Sequence, residues 1–588
     1  MKKSWVSPGS FRLQTIDRGL LPIDFSCPVN INTLFLKTIA RYMAQRSFPS
    51  FLLWLLSIGS GLLLWAAWPT SPLTLLIFIA FIPLLYLTDL VQNRWAYFGC
   101  VYLAMLIWNA CTTWWVGNTT VPMSGVAANV TNALIMTVPW LGFKNSRKRF
   151  GATISYFALI VYWLTFEYIH LNWELSWPWL TLGNVFAMHP GWIQWYEYTG
   201  TSGGTLWILG VNIALYSSWR KGRSYPAPLS DAIWKEGWKP AVAIAAPLLL
   251  SGLVSLSNVK INTTPATNSL PVVIVQPNID PYDKFADGAE GKQLEKFIRL
   301  TKELADSNTA YIVWPETALF PHGAWEHSLN EQPAIQDIRE LLKQYPKAKL
   351  ITGATTLKHY PNKDEAPYSA RKMEDGSYFD AFNTALQIDA SPTIQIYHKS
   401  RLVPGVELIP YSRYLSFMEN WALDMGGISG SYGRTPGVEI LENTEEHIKA
   451  FPTICYESIY GEFVANHVKL GANLLFIITN DGWWGQTEGH RQHLQYARLR
   501  AIETRRWIAR SANTGISCFI SPEGDIQQAQ PYWEEAVIEG NVTRGTTFTF
   551  YVKYGDLLSK GAVLFCILLL VYSTVLRFTN RKGYVERN

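Results

Sequence analysis

The chain has 588 residues, of which 48% are hydrophobic and only 16% charged. Average soluble domains carry about 25% charge, so much of this chain avoids water, and its length exceeds one simple domain. A formal net charge of +5 excludes the strongly basic footprint of a nucleic-acid binder.

Residues 1–48 mix polar and apolar types and read as an N-terminal cytoplasmic segment. A hydrocarbon core about 30 Å thick needs about 20 apolar residues in a helix. Seven such runs are predicted near 50–69, 71–91, 96–117, 124–143, 152–172, 204–219 and 240–257, which makes 49–260 a membrane domain. An eighth, near 561–577, gives a C-terminal span at 560–578. None has the form of a cleavable signal peptide, because the first apolar run starts near residue 50.

Lys and Arg in short loops mark the cytoplasmic side of a membrane. Basic residues precede the first span (Lys37, Arg41, Arg46) and separate spans two and three (Arg94). They also lie between spans four and five (Lys144, Arg147, Lys148, Arg149) and between six and seven (Arg220, Lys221, Arg223, Lys235, Lys239). Arg577, Arg581 and Lys582 come after the eighth, while the alternate loops near 70, 118–123 and 173–203 have no Lys or Arg. Both termini are therefore expected in the cytoplasm and residues 270–545 outside it, in the periplasm of a bacterium with two membranes. The loop 173–203 is rich in Trp, Tyr and Pro. It reads as an interfacial aromatic belt or, more sharply, as a lipid-facing platform under the outer domain.

From about 270 to 545 short β-rich runs alternate with amphipathic stretches, the signature of a layered α/β domain. Strands are expected at Val272–Val275, Tyr311–Trp314, Leu350–Gly353, Ala385–Ile388, Ile394–Tyr397, Phe451–Ile454, Leu474–Ile478 and Ile516–Ser521. Helices are expected at 289–305, 333–344, 457–469 and 488–505, a turn at Pro-Glu-Gly-Asp 522–525, and an exposed loop at 355–380.

Cysteines occur at positions 27, 100, 111, 455, 518 and 566, with no CxxC pair and no metal-type spacing. Cys455 differs in context, since it closes an apolar run just before a helical stretch. A thiol becomes a reactive thiolate beside a cation or at a helix N-terminus, and here Lys399 supplies a cation. Glu316, after a strand and a Pro, supplies a carboxylate to take the thiol proton. Each residue alone is more often structural: a Cys in core, a Glu at a cap, a Lys in solvent. Together they compose an acid/base, a cation and a nucleophile. His490 and His493, three apart on a helix, read as structural.

Val-Trp-Pro-Glu at 313–316, His-Lys-Ser-Arg-Leu-Val-Pro at 398–404 and Ile-Cys-Tyr-Glu at 454–457 resemble the three signature segments of the nitrilase (carbon–nitrogen hydrolase) superfamily. Spans before the domain and one after it resemble one branch, the apolipoprotein N-acyltransferases. So do Val-Gln-Pro-Asn-Ile at 275–279, Thr-Asn-Asp-Gly-Trp-Trp-Gly at 479–485, Gln492-His493 and Ala497-Arg498. The resemblance implies a polytopic membrane domain of about eight spans plus an αββα sandwich. It implies Glu316 as general base, Lys399 as oxyanion-stabilising cation and Cys455 as nucleophile, with Glu407, Tyr456 and Glu457 supporting. Two departures occur: Pro-Gly-Val-Glu at 404–407 replaces the usual Pro-Phe-Gly-Glu, and Phe285 stands where some members have Trp.

The implied reaction is ping-pong transfer through a thioester, with no metal or cofactor. A phospholipid donates the acyl chain, and the α-amine of a diacylglyceryl-cysteine lipoprotein accepts it at the bacterial inner membrane. The alternative is a membrane-tethered amidase or nitrilase acting on a small amide.

Overall fold

In hydrocarbon every backbone N–H and C=O must find a partner within the chain, so long apolar runs fold as helices. The computed structural model describes residues 50–118, 122–224, 237–261, 269–286, 288–411, 431–435 and 437–585. The expected segment 1–48, with Cys27, lies outside the described residues. Contacts divide the chain into Met1–Leu53 and Trp54–Asn588. Of the first unit only Ser50–Leu53 are described, as the opening turn of the helix Ser50–Ala67. All other described residues belong to the second unit.

Among the described residues five helical segments are long and apolar enough to cross a bilayer: Ser50–Ala67, Arg94–Gly117, Met123–Leu171, Trp238–Ser257 and Leu557–Arg577. The 49-residue Met123–Leu171 holds two predicted spans and breaks at Gly151, whose φ of +75° glycine adopts without steric cost. The predicted span 71–91 is not one helix. A 3₁₀ turn at Thr74–Phe78 gives way to a helix at Ile82–Leu90, because Pro83 lacks an N–H and its ring opposes helix in the preceding turn. Asn93 caps the next helix by accepting from the N–H groups of Trp95 and Ala96. The sixth predicted span becomes the helix Thr201–Ser224.

Beyond the membrane helices come fourteen described strands: β1 Ser269–Gln276, β2 Tyr311–Val313, β3 Leu319–Trp325, β4 Lys349–Tyr360, β5 Arg371–Lys372, β6 Tyr378–Ile388, β7 Ile394–His398, β8 Leu441–Asn443, β9 Ile448–Ile454, β10 Leu474–Thr479, β11 Ile508–Ala512, β12 Cys518–Ile520, β13 Ile526–Gln527 and β14 Ala536–Thr543. One sheet runs β14-β1-β2-β4-β6-β5, with β3 on β4 and β7 on β6; the other runs β13-β12-β11-β10-β9-β8. Parallel pairs form the centre of each, with Val273 opposite Ile312 in the first and Phe476 opposite Ala509 in the second.

Helices cover the outer faces. Leu294, Phe297 and Leu300 of Ala289–Leu304, with Ile335, Ile338 and Leu342 of Pro333–Leu342, bury one helical stripe each against the first sheet. Each such side chain contributes about 1.5–3 kcal/mol of burial. Gly461–Lys469 and Glu488–Thr504 cover the second sheet. Between the sheets the Tyr311 and Phe476 rings meet at 4.9 Å. The result is an αββα sandwich.

Two expectations change and one holds. The segment 355–380 is not a loop throughout, since β4 and β6 pair antiparallel as far as Tyr360 and Tyr378. The turn at 522–525 does close the hairpin β12–β13, with Gly524 at φ +88°. The loop 173–203 is a platform under the sandwich, packed mostly on protein. Its short 3₁₀ turns are largely buried, and the sandwich is bonded onto them. Tyr496 donates to the Trp179 carbonyl at 2.9 Å and accepts from Trp68 Nε1 at 2.9 Å. Arg505 pairs with Glu197 at 2.5 Å, and the Trp115, Trp179 and Trp484 rings pack edge to face.

Candidate active site

Glu316 follows β2 in a turn that packs against β4. A Cβ on Gly353 would lie 2.3 Å from the Thr317 nitrogen and 2.6 Å from the Glu316 Cα, so only glycine lets the two backbones approach. Lys284 holds this turn, donating to the Glu316 carbonyl at 3.0 Å and to Thr317 Oγ1 at 2.6 Å. Burial lowers the Lys284 pKa to about 7, against the pull of Glu316.

Lys399 leaves the end of β7 and is almost fully buried. Its ammonium donates to Glu316 Oε1 at 3.1 Å and to Glu407 Oε1 at 2.8 Å. Burial disfavours that charge, yet the two carboxylates outweigh it and hold the lysine pKa well above its ordinary value. Asn383, on β6, donates to the same two oxygens at 2.7 and 3.1 Å. Glu316 Oε2 accepts from the Asn480 N–H at 3.1 Å, and Glu407 Oε2 from the Val403 N–H at 2.8 Å. The Pro-Gly-Val-Glu departure therefore still delivers its carboxylate to the lysine.

Cys455 lies directly after β9 with φ +49°, a left-handed conformation that a residue with a Cβ adopts at a cost of order 1–3 kcal/mol. Glu316, Lys399 and the Thr479 hydroxyl all act on its thiol electrostatically. Burial, then Glu316, push the thiol pKa well above the ordinary value, against the opposing pull of Lys399 and Thr479. A 3₁₀ turn, Cys455–Ile459, follows β9, and the α-helix begins only at Gly461 rather than at 457 as expected.

Glu457 ties the nucleophile turn to the lysine loop. It accepts from the N–H groups of Ile454, Ser400 and Arg401 at 2.9, 2.7 and 3.2 Å, and from the Tyr397 hydroxyl at 2.8 Å. Burial raises its pKa to about 6 against those donors. Tyr456 points the other way, donating to the Ser176 carbonyl of the platform at 3.0 Å.

The sequence reading missed a second cluster on the far side of Cys455. Asp481 accepts from Arg510 at 2.6 Å, from His493 Nδ1 at 2.9 Å and from Thr479 Oγ1 at 2.8 Å. Burial alone would raise the Asp481 pKa, but Arg510 and His493 outweigh it and hold the carboxyl far below its usual range. His493 Nε2 lies 3.1 Å from the Cys455 carbonyl and 2.9 Å from Ser458 Oγ. Cys455, Asp481 and His493 bring a sulfur, an oxygen and a nitrogen within 4.8 Å of one another. Protein partners already engage the carboxylate and both ring nitrogens, so the group reads as a scaffold rather than a metal centre. His490 stacks on Tyr532 at 3.9 Å. The only sequence signal for this cluster was the run 479–485 with His493; Arg510, inside a strand, gave none.

Residues 272–549 match the carbon-nitrogen hydrolase family, and residues 60–214 match the N-terminal domain of apolipoprotein N-acyltransferase. The apolipoprotein N-acyltransferase of Chlorobaculum tepidum is 31% identical over 85% of this chain and 93% of its own length. This chain belongs to the apolipoprotein N-acyltransferase family. The homologue from Geobacter metallireducens is 25% identical over 87% of this chain and 93% of its own. Among solved structures, a carbon-nitrogen hydrolase superfamily protein of Xanthomonas campestris aligns with TM-score 0.32 and 16% identity, covering 47% of this chain and 91% of that one. Membership makes the protein a bacterial membrane acyltransferase of lipoprotein maturation.

Proposed function

We propose that Cys455 carries an acyl chain from a membrane phospholipid to the α-amine of an S-diacylglyceryl-cysteine at a lipoprotein N-terminus. The observation that carries this reading is the seat of the nucleophile. The residue after Cys455 bonds directly to a loop between membrane helices, while Glu316 and Lys399 converge on the sulfur from the first sheet.

As Sγ attacks the ester carbon, the thiol proton passes to Glu316, which a neutral thiol requires. Lys399 stabilises the oxyanion. Glu316 then returns its proton to the departing lysophospholipid oxygen, leaving a thioester. The incoming amine gives a proton to Glu316 and attacks the thioester carbon. An amide forms and the thiol is restored. Glu407 and Asn383 hold Lys399 and Glu316 in place, and Glu457 fixes the nucleophile turn. The basic loops support a periplasmic sandwich on an inner-membrane domain at 49–260, closed by a span at 560–578.

Mass spectrometry of the Cys455 peptide after incubation with phospholipid micelles should find an acyl adduct that hydroxylamine removes. Cys455→Ser should abolish it and lower turnover at least about 1,000-fold. A mutant labelled at full level would overturn the nucleophile. Ammonia release from small amides without acyl transfer would favour the amidase reading.

A further inference from the structure

The lysine loop carries a second cation, Arg401, that the chemistry above does not use. Its backbone N–H donates to Glu457, which fixes it beside the nucleophile turn. Its guanidinium lies 5.3 Å from the Tyr460 ring centroid and 5.6 Å from that of Phe463. Both rings are buried, and Arg401 is half-buried on them. Among the described residues no carboxylate forms an ion pair with this guanidinium. Two other cations of this domain and its C-terminal helix differ: Arg434 pairs with Glu174, and Lys560 with Glu462. A partly desolvated guanidinium on aromatic faces is oriented and stripped of water, but it lacks the oxyanion its planar fork fits best.

Its surroundings indicate which oxyanion. The Tyr460 hydroxyl shares a hydrogen bond of 2.7 Å with Ser176, just beyond the membrane helix that ends at Leu171. Phe463 belongs to the helix that Glu462 ties to Lys560, in the first turn of the C-terminal span. Arg401 thus sits near the ends of two long apolar helices on the side of the sandwich, where spanning helices would meet lipid headgroups.

We propose that Arg401 binds the phosphodiester of the donor lipid. In a glycerophospholipid only the glycerol backbone separates the phosphate from the acyl ester. A phosphate held at Arg401 therefore presents that ester to the neighbouring nucleophile turn. The diacylglyceryl acceptor has no phosphate, so Arg401 serves the first half-reaction alone. This rests on the acyl-transfer reading above.

The test uses the full chain in mixed micelles and follows acylation of Cys455 by mass spectrometry with two donors. One is a diacyl phospholipid, the other a nitrophenyl ester of the same fatty acid, which lacks phosphate. Arg401→Gln should raise the phospholipid concentration for half-maximal rate about 10-fold or more, the scale of a lost hydrogen bond to a charged group. Its rate with the nitrophenyl ester, and transfer from pre-acylated enzyme to a diacylglyceryl peptide, should stay within about twofold of the parent chain; Arg401→Lys should recover part of the phospholipid loss. Equal loss with both donors, or no loss with either, would overturn the assignment. Failure of both donors to label Cys455 in the parent chain would instead overturn the nucleophile.

Discussion

Two buried charge clusters flank Cys455, and they are built for different ends. On one side two carboxylates, Glu316 and Glu407, share the ammonium of Lys399. On the other a single carboxylate, Asp481, lies between a guanidinium and an imidazole. The first cluster hangs from turns and loops after strands, and its carboxylate side chains keep 9% and 11% exposure. The second grows from β10, β11 and the covering helix, and its members are at most 1% exposed. Proton transfer needs a group that substrate can reach; a rigid turn needs groups that nothing reaches. The contrast teaches that a charged neighbour of a nucleophile is not thereby a participant.

Substitutions sharpen the contrast. Glu316→Gln keeps the hydrogen-bonding shape but removes the proposed base, and should cut the rate of Cys455 acylation about 10²- to 10⁴-fold with little change in thermal unfolding. Asp481→Asn should do the reverse in emphasis. It leaves Arg510 as an uncompensated buried charge and should cost about 3–5 kcal/mol of stability in detergent. A stable but inactive Asp481→Asn enzyme would break the comparison.

Glu457 bridges the two behaviours and gives a pH signature. Its folded pKa, about 6, exceeds the ordinary 4.5, so the fold binds its proton more tightly than the unfolded chain does. The stability it contributes is fully present below pH 4.5 and is lost as pH rises through 6. The span is about 2 kcal/mol, and Glu457→Gln should flatten that slope in unfolding measurements. Tyr456→Phe should have the smallest effect. It removes one hydrogen bond to the platform, worth about 1 kcal/mol or less, and should leave reactivity with a phosphate-free ester unchanged.

The first cluster was legible in the sequence because its residues sit in short runs with distinctive neighbours, Trp-Pro before Glu316 and Leu-Val-Pro after Lys399. The second was not. Arg510 lies within Ile-Ala-Arg-Ser-Ala, a strand buried at every position, and no alternation of apolar and polar types betrays it. Its charge is offset by Asp481, twenty-nine positions earlier in sequence, and a second N–H group by the Ile516 carbonyl; the long-range pairing leaves no local pattern. The start of the helix expected at 457 was misread for a related reason. The helical run was visible, but the 3₁₀ turn that precedes it was not. The broken span at 71–91 shows the converse, since Pro83 was in plain view and composition alone overrode it.

The platform contacts carry a consequence for kinetics. Because Tyr496, Arg505 and Gln492 fasten the sandwich onto the membrane loops, the sulfur's height above those loops is fixed by packing rather than by a tether. An enzyme so mounted meets its substrates by lateral diffusion within a plane. Its rate should then track the mole fraction of donor in the surface, falling on dilution with inert detergent even when the bulk donor concentration is unchanged.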